Sequence, residues 1–252
     1  TANKKILLCG WKGYIGFALL QRLLNEGYIV RGIDNNQRHN DVEEQNSQSV
    51  TNLTHDSFQD NINFKAYNID IAREVSQLDE IFKNFIPDIV INLAHIPSAP
   101  YSQIDLEHAD YTLTNNFNGT NNLLWLVKKY NSEAHYITIG TAGEYNHYAN
   151  IDVEEGYFKF VHNGRQSEEC IFPRRPGSIY HTSKVASTYL IDFLTRTWGL
   201  YTTDVMQGVV FGLYTDECHK NKQYTRFDSD ECFGTVINRF CVQSLLGVPL
   251  TV

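Results

Sequence analysis

Short apolar runs alternate with amphipathic stretches along most of this chain. Residues 6–9 form an unbroken apolar run, short enough for a strand buried on both faces. Ile15, Leu19, Leu20, Leu23 and Leu24 then recur at helical period. Residues 28–33 predict a second strand, and residues 62–67 alternate like a third. Residues 88–93 are almost wholly apolar and predict a fourth, and residues 134–139 and 201–210 predict the fifth and sixth. Helical periodicity fills the intervals. One helix spans residues 75–85 and is stopped by Pro87. A long one spans 103–130, with an irregularity near Gly119, and two more span 179–198 and 233–246. Residues 248–252 predict the start of a further strand.

Two polar intervals interrupt the alternation. Residues 35–61, rich in Asn, Gln, Ser and Asp, predict a long surface loop with room for a short helix. A tolerated insertion and a flap over a ligand explain it equally well. Residues 146–178 predict a second loop. There are no internal repeats and no low-complexity tract.

Strands alternating with helices imply one α/β domain: a doubly wound parallel sheet of Rossmann-like type with helices on both faces. Residues 1–212 make up that domain, and residues 213–252 open a smaller, partial C-terminal lobe. Ligands of such sheets lie beyond the carboxyl ends of the strands. Gly10, Asp34, Asp70, Ala94, Thr141 and Gln207 all fall at those ends.

Composition narrows the partners. A formal net charge of −8 argues against nucleic acid and against a membrane surface. No apolar run reaches membrane-spanning length. The 5 cysteines are odd in number and contain no C-x-x-C, so neither a disulfide framework nor a metal site is expected. A reducing compartment follows: cytoplasm, or plastid stroma in a plant or alga. No signal peptide is visible, and the opening on Thr1 rather than Met is compatible with trimming.

The chemistry starts after the first strand. Gly10, Gly13 and Gly16 stand at G-x-x-G-x-x-G spacing between strand and helix. The first lets the chain turn, the second lets backbone approach a pyrophosphate, and the third lets the helix sit close to the sheet. The helix N-terminus favours phosphate. Asp34 ends the second strand about 20 residues later, where a carboxylate accepts from adenosine ribose hydroxyls and repels a 2′-phosphate. That favours NAD over NADP, although Arg38 nearby could receive the extra phosphate. Asp70 could accept from an adenine amine, or could cap the helix that follows. Leu93, Ala94 and His95 leave the fourth strand where backbone passes a ligand. Asn115 and Asn116 fall inside a predicted helix, where asparagine is a poor former, so one of them is expected to bond something specific.

Tyr180 and Lys184 stand at i, i+4, which puts both on one face of a helix. A free phenol has a pKa of about 10, too high for a base at neutral pH. An adjacent ammonium and a positive nicotinamide ring would lower it. Tyr180 could then take the proton of a sugar hydroxyl, with Thr141 orienting the reacting oxygen. A tyrosine one turn from a lysine is common on surface helices. The glycine turn and the Thr after the fifth strand are what favour catalysis here.

This combination resembles the extended short-chain dehydrogenase/reductase superfamily, the NAD-dependent epimerases and dehydratases of nucleotide sugars. The blocks P-S-A-P-Y-S, G-T-A-G-E-Y, N-I-D-V-E-E-G-Y, H-N-G-R, Y-H-T-S-K, Q-G-V-V-F-G, D-E-C-F-G-T-V-I-N-R-F-C-V-Q and P-L-T-V are similar to the UDP-sulfoquinovose synthase family within it. The resemblance implies NAD as cofactor and UDP-glucose or a related UDP-hexose as substrate. It implies oxidation at C4, loss of water across C5–C6, addition of sulfite and reduction at C4. It puts Thr141, Tyr180 and Lys184 in catalytic roles. Around the cofactor it puts Gly10, Trp11, Lys12, Gly13, Tyr14, Ile15 and Gly16; then Asp34, Asn35, Arg38, Asp70, Ile71, Leu93, Ala94 and His95; and Asn116, Tyr180, Lys184 and Val210. On the substrate side fall Thr141, Glu144, Tyr145, Gln207, Arg239, Thr251 and Val252. A homodimer through the helices at 103–130 and 179–198 is likewise implied, as is a family chain that continues beyond P-L-T-V.

This chain departs from the family pattern at four positions. Ile96-Pro97 stands for a Gln-Arg pair whose arginine meets the substrate. Ala142 stands for Met, and His95 for Glu. Glu144 is the carboxylate nearest Thr141 and His181 adjoins Tyr180, so each is a candidate proton carrier for the elimination. The alternatives are a UDP-sugar 4,6-dehydratase or epimerase without sulfite chemistry, a non-catalytic NAD-sensing protein, and a structural partner subunit.

Overall fold

The computed structural model describes residues 4–44, 58, 60–145, 153–154 and 156–251. Six strands build one sheet: β1 (Lys5–Cys9), β2 (Ile29–Ile33), β3 (Phe64–Tyr67), β4 (Ile89–Asn92), β5 (His135–Thr141) and, last in the chain, β10 (Tyr201–Gln207). Their order is β10-β5-β4-β1-β2-β3. Every pairing is parallel. This is the doubly wound arrangement, and its direction reverses between β1 and β4.

The unbroken apolar run of β1 has a direct cause. Ile6 and Leu8 pack on one face with Trp11, Phe17, Leu20 and Phe64. Leu7 and Cys9 pack on the other with Leu78, Phe82, Leu123 and Ile191. Helix α1 (Tyr14–Asn25) covers the first face, whereas α3 (Val75–Phe85), α5 (Gly119–Tyr130) and α6 (Ile179–Trp198) cover the second. Both faces are dry, so the strand needs no polar alternation.

The predicted helix over 103–130 is instead segmented. A 3₁₀ turn (Tyr101–Gln103) leads to α4 (Leu106–Leu113), capped by the Asp105 carboxylate. A π-turn (Thr114–Asn118) joins α4 to α5. Its residues Asn115 and Asn116 are buried and grip the chain leaving β4. Asn116 accepts from the Ile96 N–H at 2.8 Å and donates to the Ile96 carbonyl at 3.1 Å. Asn115 donates to the Ala94 carbonyl at 3.1 Å. The wider turn aims both amides at that loop, which straight helical geometry would not do.

Two further expectations change, and the room for a short helix after Asp34 is used. The polar stretch after Asp34 holds α2 (Gln37–Glu44), and most of the rest of that stretch lies outside the described residues. The 146–178 loop contains two small antiparallel ribbons: β6 (Tyr157–Phe158) with β9 (Cys170–Ile171), and β7 (Val161–His162) with β8 (Arg165–Gln166). Asn163 and Gly164 close the second with φ of 50° and 71°, the left-handed pair a tight hairpin needs. Residues 248–251 are not a strand. The chain turns at Gly247, and Gln243 holds Thr251 against the end of α8 (Val236–Leu246) through both its N–H and its hydroxyl. Among the described residues no helix is long and apolar enough to cross a membrane.

Residues 213–251 pack on the sheet domain. In α7 (Asp216–Asn221), Glu217 pairs with Arg22 of α1, and Thr225 donates to the Tyr14 carbonyl at 2.6 Å. The chain at 226–238 then lies over the carboxyl edge of the sheet.

Candidate active site

A cavity of about 710 Å³ opens at that edge, beside the reversal point between β1 and β4. Its floor is the glycine turn. Gly10 has φ +80°, and a Cβ there would come within 2.6 Å of the Leu93 carbonyl carbon. The exits of β1 and β4 therefore touch because this residue has no side chain. A Cβ on Gly16 would overlap the Gly10 carbonyl oxygen. Helix α1 begins at Gly13 with no side-chain cap, and its first turn lines the cavity. An uncapped N-terminus beside a Cβ-free cradle fits a pyrophosphate.

Asp34 closes one end. Its Oδ1 accepts from the Asn36 N–H at 2.8 Å and its Oδ2 from the Lys12 N–H at 3.0 Å. Burial raises its pKa, and those two N–H groups oppose the shift. Each oxygen retains a lone pair for a ribose hydroxyl. Asn35 and Ile71 line the same end, joined by Arg38. Asp70 does not line it. Its Oδ1 accepts from the N–H groups of Ala72 and Arg73, and its Oδ2 pairs with the Arg73 guanidinium at 3.1 Å. Asp70 thus caps its own turn.

The other end holds Thr141, Tyr180 and Lys184. Ser178 caps α6 by accepting from the His181 N–H at 3.1 Å, which sets the helix start and places Tyr180 and Lys184 one turn apart on the cavity side. The Lys184 ammonium lies 5.8 Å from the centre of the Tyr180 ring. The neighbouring Thr141 hydroxyl favours the ionised form of the Tyr180 phenol. Burial first, then the Glu144 carboxylate, push that phenol up to about 12. Burial brings Lys184 down to about 8, and the Asp204 and Glu144 carboxylates oppose the fall. Lys184 donates to the Ile139 carbonyl at 2.7 Å and to His95 Nδ1 at 2.6 Å. His95 is held neutral by its burial and by the lysine.

Behind this end the buried Glu144 meets a second, half-buried acid, Asp204, which was absent from the sequence reading. Thr188 donates to Asp204 Oδ2 at 2.6 Å, and its hydroxyl lies 3.3 Å from Glu144 Oε1. One hydroxyl proton thus serves two carboxylates. Burial and the neighbouring Asp204 raise Glu144 to about 7. Arg174 lies 3.6 Å from Glu144 and stacks on the Tyr145 ring at 3.8 Å.

The cavity brings together most of the expected residues: Gly10, Lys12, Gly13, Tyr14, Ile15, Gly16, Leu93, Ala94, His95, Gln207 and Val210 line it with those already named. Besides Asp70, six do not reach it. Trp11 is buried against Phe64 and Gly32 in the core. Asn116 holds Ile96 and Ser183. Glu144, Tyr145, Arg239 and Thr251 lie away from its wall. Val252 lies outside the described residues. Sequence reasoning missed Arg226, Asp228 and Phe233, which line the Asp34 end. The only local signal was a charged and aromatic loop.

Fold and site together define a doubly wound dinucleotide-type domain with a tyrosine–lysine pair at its strand ends. The chain belongs to the NAD dependent epimerase/dehydratase family, whose model matches residues 6–230. It is 38% identical over 261 residues to the chloroplastic UDP-sulfoquinovose synthase of Spinacia oleracea, covering 100% of this chain and 53% of that one. It is 37% identical over 255 residues to UDP-sulfoquinovose synthase of Sulfolobus acidocaldarius, covering 98% and 64%. The chain thus spans roughly half to two thirds of these relatives' lengths. Among solved structures, UDP-glucose 4-epimerase from Thermotoga maritima with UDP-glucose superposes with a TM-score of 0.69 at 23% identity, over 97% of this chain and 64% of that one. That likeness speaks to the fold.

Proposed function

We propose that this chain carries the NAD-binding and catalytic part of a UDP-sulfoquinovose synthase-like enzyme acting on UDP-glucose or a related UDP-hexose. The observation that carries the reading is the convergence of Thr141, Tyr180 and Lys184 on the cavity that the glycine turn and Asp34 close at its other end. The Gly10–Gly16 turn would hold the pyrophosphate and Asp34 the adenosine ribose. Lys184 would hold the nicotinamide ribose. NAD, when bound, supplies a hydride acceptor and a positive charge beside the phenol. Tyr180 Oη takes the proton of the sugar C4 hydroxyl, and Thr141 Oγ1 orients that hydroxyl. Tyr180 is a poor base as it stands, at about 12. The cationic Lys184 and the charge of the bound cofactor favour its phenolate. Residues 213–251 form the nucleotide-sugar side of the site, and the two long helix faces form a homodimer. Leu106, Trp125 and Phe193 are exposed on those helices.

One observation favours a second reading, a UDP-sugar 4,6-dehydratase or epimerase that does not use sulfite. Ile96 is buried against Val42, Tyr101 and Phe233, and Pro97 lines the cavity, so this segment offers no cation to an anion.

The test is to mix the protein with NAD and UDP-glucose and follow the near-ultraviolet band of reduced nicotinamide. Partial reduction is expected. No band with any UDP-hexose, in a protein that binds NAD, would leave only a sensor. Product analysis with and without sulfite separates the two enzymes.

A further inference from the structure

The Asp34 end of the cavity contains a second carboxylate. Asp228 is buried, from a loop far along the chain, and it lies between two arginines. Arg226 binds it through Nε at 2.8 Å and Nη2 at 3.2 Å. Arg38 donates through Nε at 3.1 Å, and its Nη2 lies 3.1 Å from the same oxygen. The Arg38 guanidinium also lies 3.8 Å from the centre of the Phe233 ring, and its Nη2 donates to the Phe233 carbonyl at 3.4 Å. One edge and one face of Arg38 are therefore committed to this loop.

The commitment matters because Arg38 is one of two arginines at the Asp34 end, both held by Asp228, and Arg38 is the one with an edge still turned from that carboxylate that a 2′-phosphate could compete for. A guanidinium binds phosphate through a free fork of N–H groups. Here the fork that includes Nε is spent on a carboxylate. Desolvating the cation without a partner would be costly, so the pair does not open readily.

We propose that Asp228 is a positioning residue for cofactor selectivity: by holding Arg38, it withholds that guanidinium from a 2′-phosphate and keeps the site selective for NAD over NADP. Asp34 repels the phosphate directly, and Asp228 removes the cation that could offset that repulsion. The inference rests on the NAD-binding reading above.

The test measures dissociation constants for NAD and NADP by calorimetry on the full chain. The variants are Asp228→Asn, Arg38→Met and the double variant. A merely structural role for Asp228 weakens both ligands together and leaves their ratio alone. We expect Asp228→Asn to shift the ratio toward NADP by about tenfold or more, the scale of a hydrogen bond to a charged group. Adding Arg38→Met should return the ratio to the parent value. An unmoved ratio in Asp228→Asn, or a shift that survives Arg38→Met, overturns the proposal. If Asp228→Asn does not fold, the single Arg38→Met variant decides. Its ratio should match the parent's, and a tenfold selective loss of NADP binding would mean that Arg38 already reaches the phosphate. A parent chain that binds neither dinucleotide overturns the NAD reading itself, and a bound NAD with the wrong ratio overturns only this proposal.

Discussion

The Lys184 ammonium donates to Nδ1 of His95 at 2.6 Å, two basic groups in direct contact inside the fold. Both cannot be cationic there. His95 is the neutral partner, and its Nε2 lies 3.2 Å from Asn92 Nδ2 and 3.4 Å from Thr120 Oγ1. The histidine thus acts as an acceptor that favours the charged lysine against a burial that brings it down to about 8.

His95→Leu removes that acceptor. The ammonium keeps the Ile139 carbonyl but loses one charge-assisted bond, so its pKa falls further. Activity that needs cationic Lys184 is lost as pH rises through its pKa. The alkaline limb of the rate profile should therefore move to lower pH, with a loss of about tenfold at neutral pH. His95→Gln retains an acceptor and should recover part of it. A limb unmoved in both variants would separate His95 from the charge state of Lys184.

Tyr180→Phe keeps the ring and loses the proton acceptor. NAD affinity should stay close to the parent value while turnover falls by about 10²–10⁴. Calorimetry and steady-state rates check the two halves separately. Parent-like turnover removes the phenol from its role.

Glu144 links stability to pH. Its folded pKa of about 7 lies above its ordinary value of 4.5, from burial and then Asp204. The folded protein holds a proton that the unfolded chain releases in that window. Its stabilisation is complete below the ordinary glutamate range and is lost as pH rises through about 7. Melting temperature should fall between about pH 5 and pH 8, and Glu144→Gln should flatten that fall. An equally steep fall in the variant would mean that other groups carry it.

Gly16→Ala tests the cradle. The added methyl overlaps the Gly10 carbonyl oxygen, which is backbone and cannot rotate aside. A loss of about 1–3 kcal/mol in urea unfolding is expected, as for other overpacked sites, together with weaker NAD binding. Unchanged stability would show that α1 can shift outward.

Much of the site was legible because it is built from local rules. A Tyr and a Lys four apart share a helix face whatever the fold, and glycine at 10 is readable as a turn off a strand. Trp11 and Asp70 stand inside equally readable segments and yet point elsewhere. One side chain fills the gap beneath Gly32, and the other satisfies its own turn. Adjacency to a motif does not say which way a side chain leaves the backbone.

The period of apolar positions, taken alone, determined the six sheet strands and most of the helices between them, and their alternation implied a parallel sheet, since buried parallel strands and amphipathic helices each leave their own spacing; it did not show the break in the helix over 103–130 or the turn at Gly247. Only the tertiary structure decided that Arg38 belongs to Asp228, 190 residues away, and that Thr188 serves both Glu144 and Asp204. Those pairings depend on which distant loops the sheet order brings to one edge. A charge carries no mark of its partner until burial makes leaving it unpaired too costly.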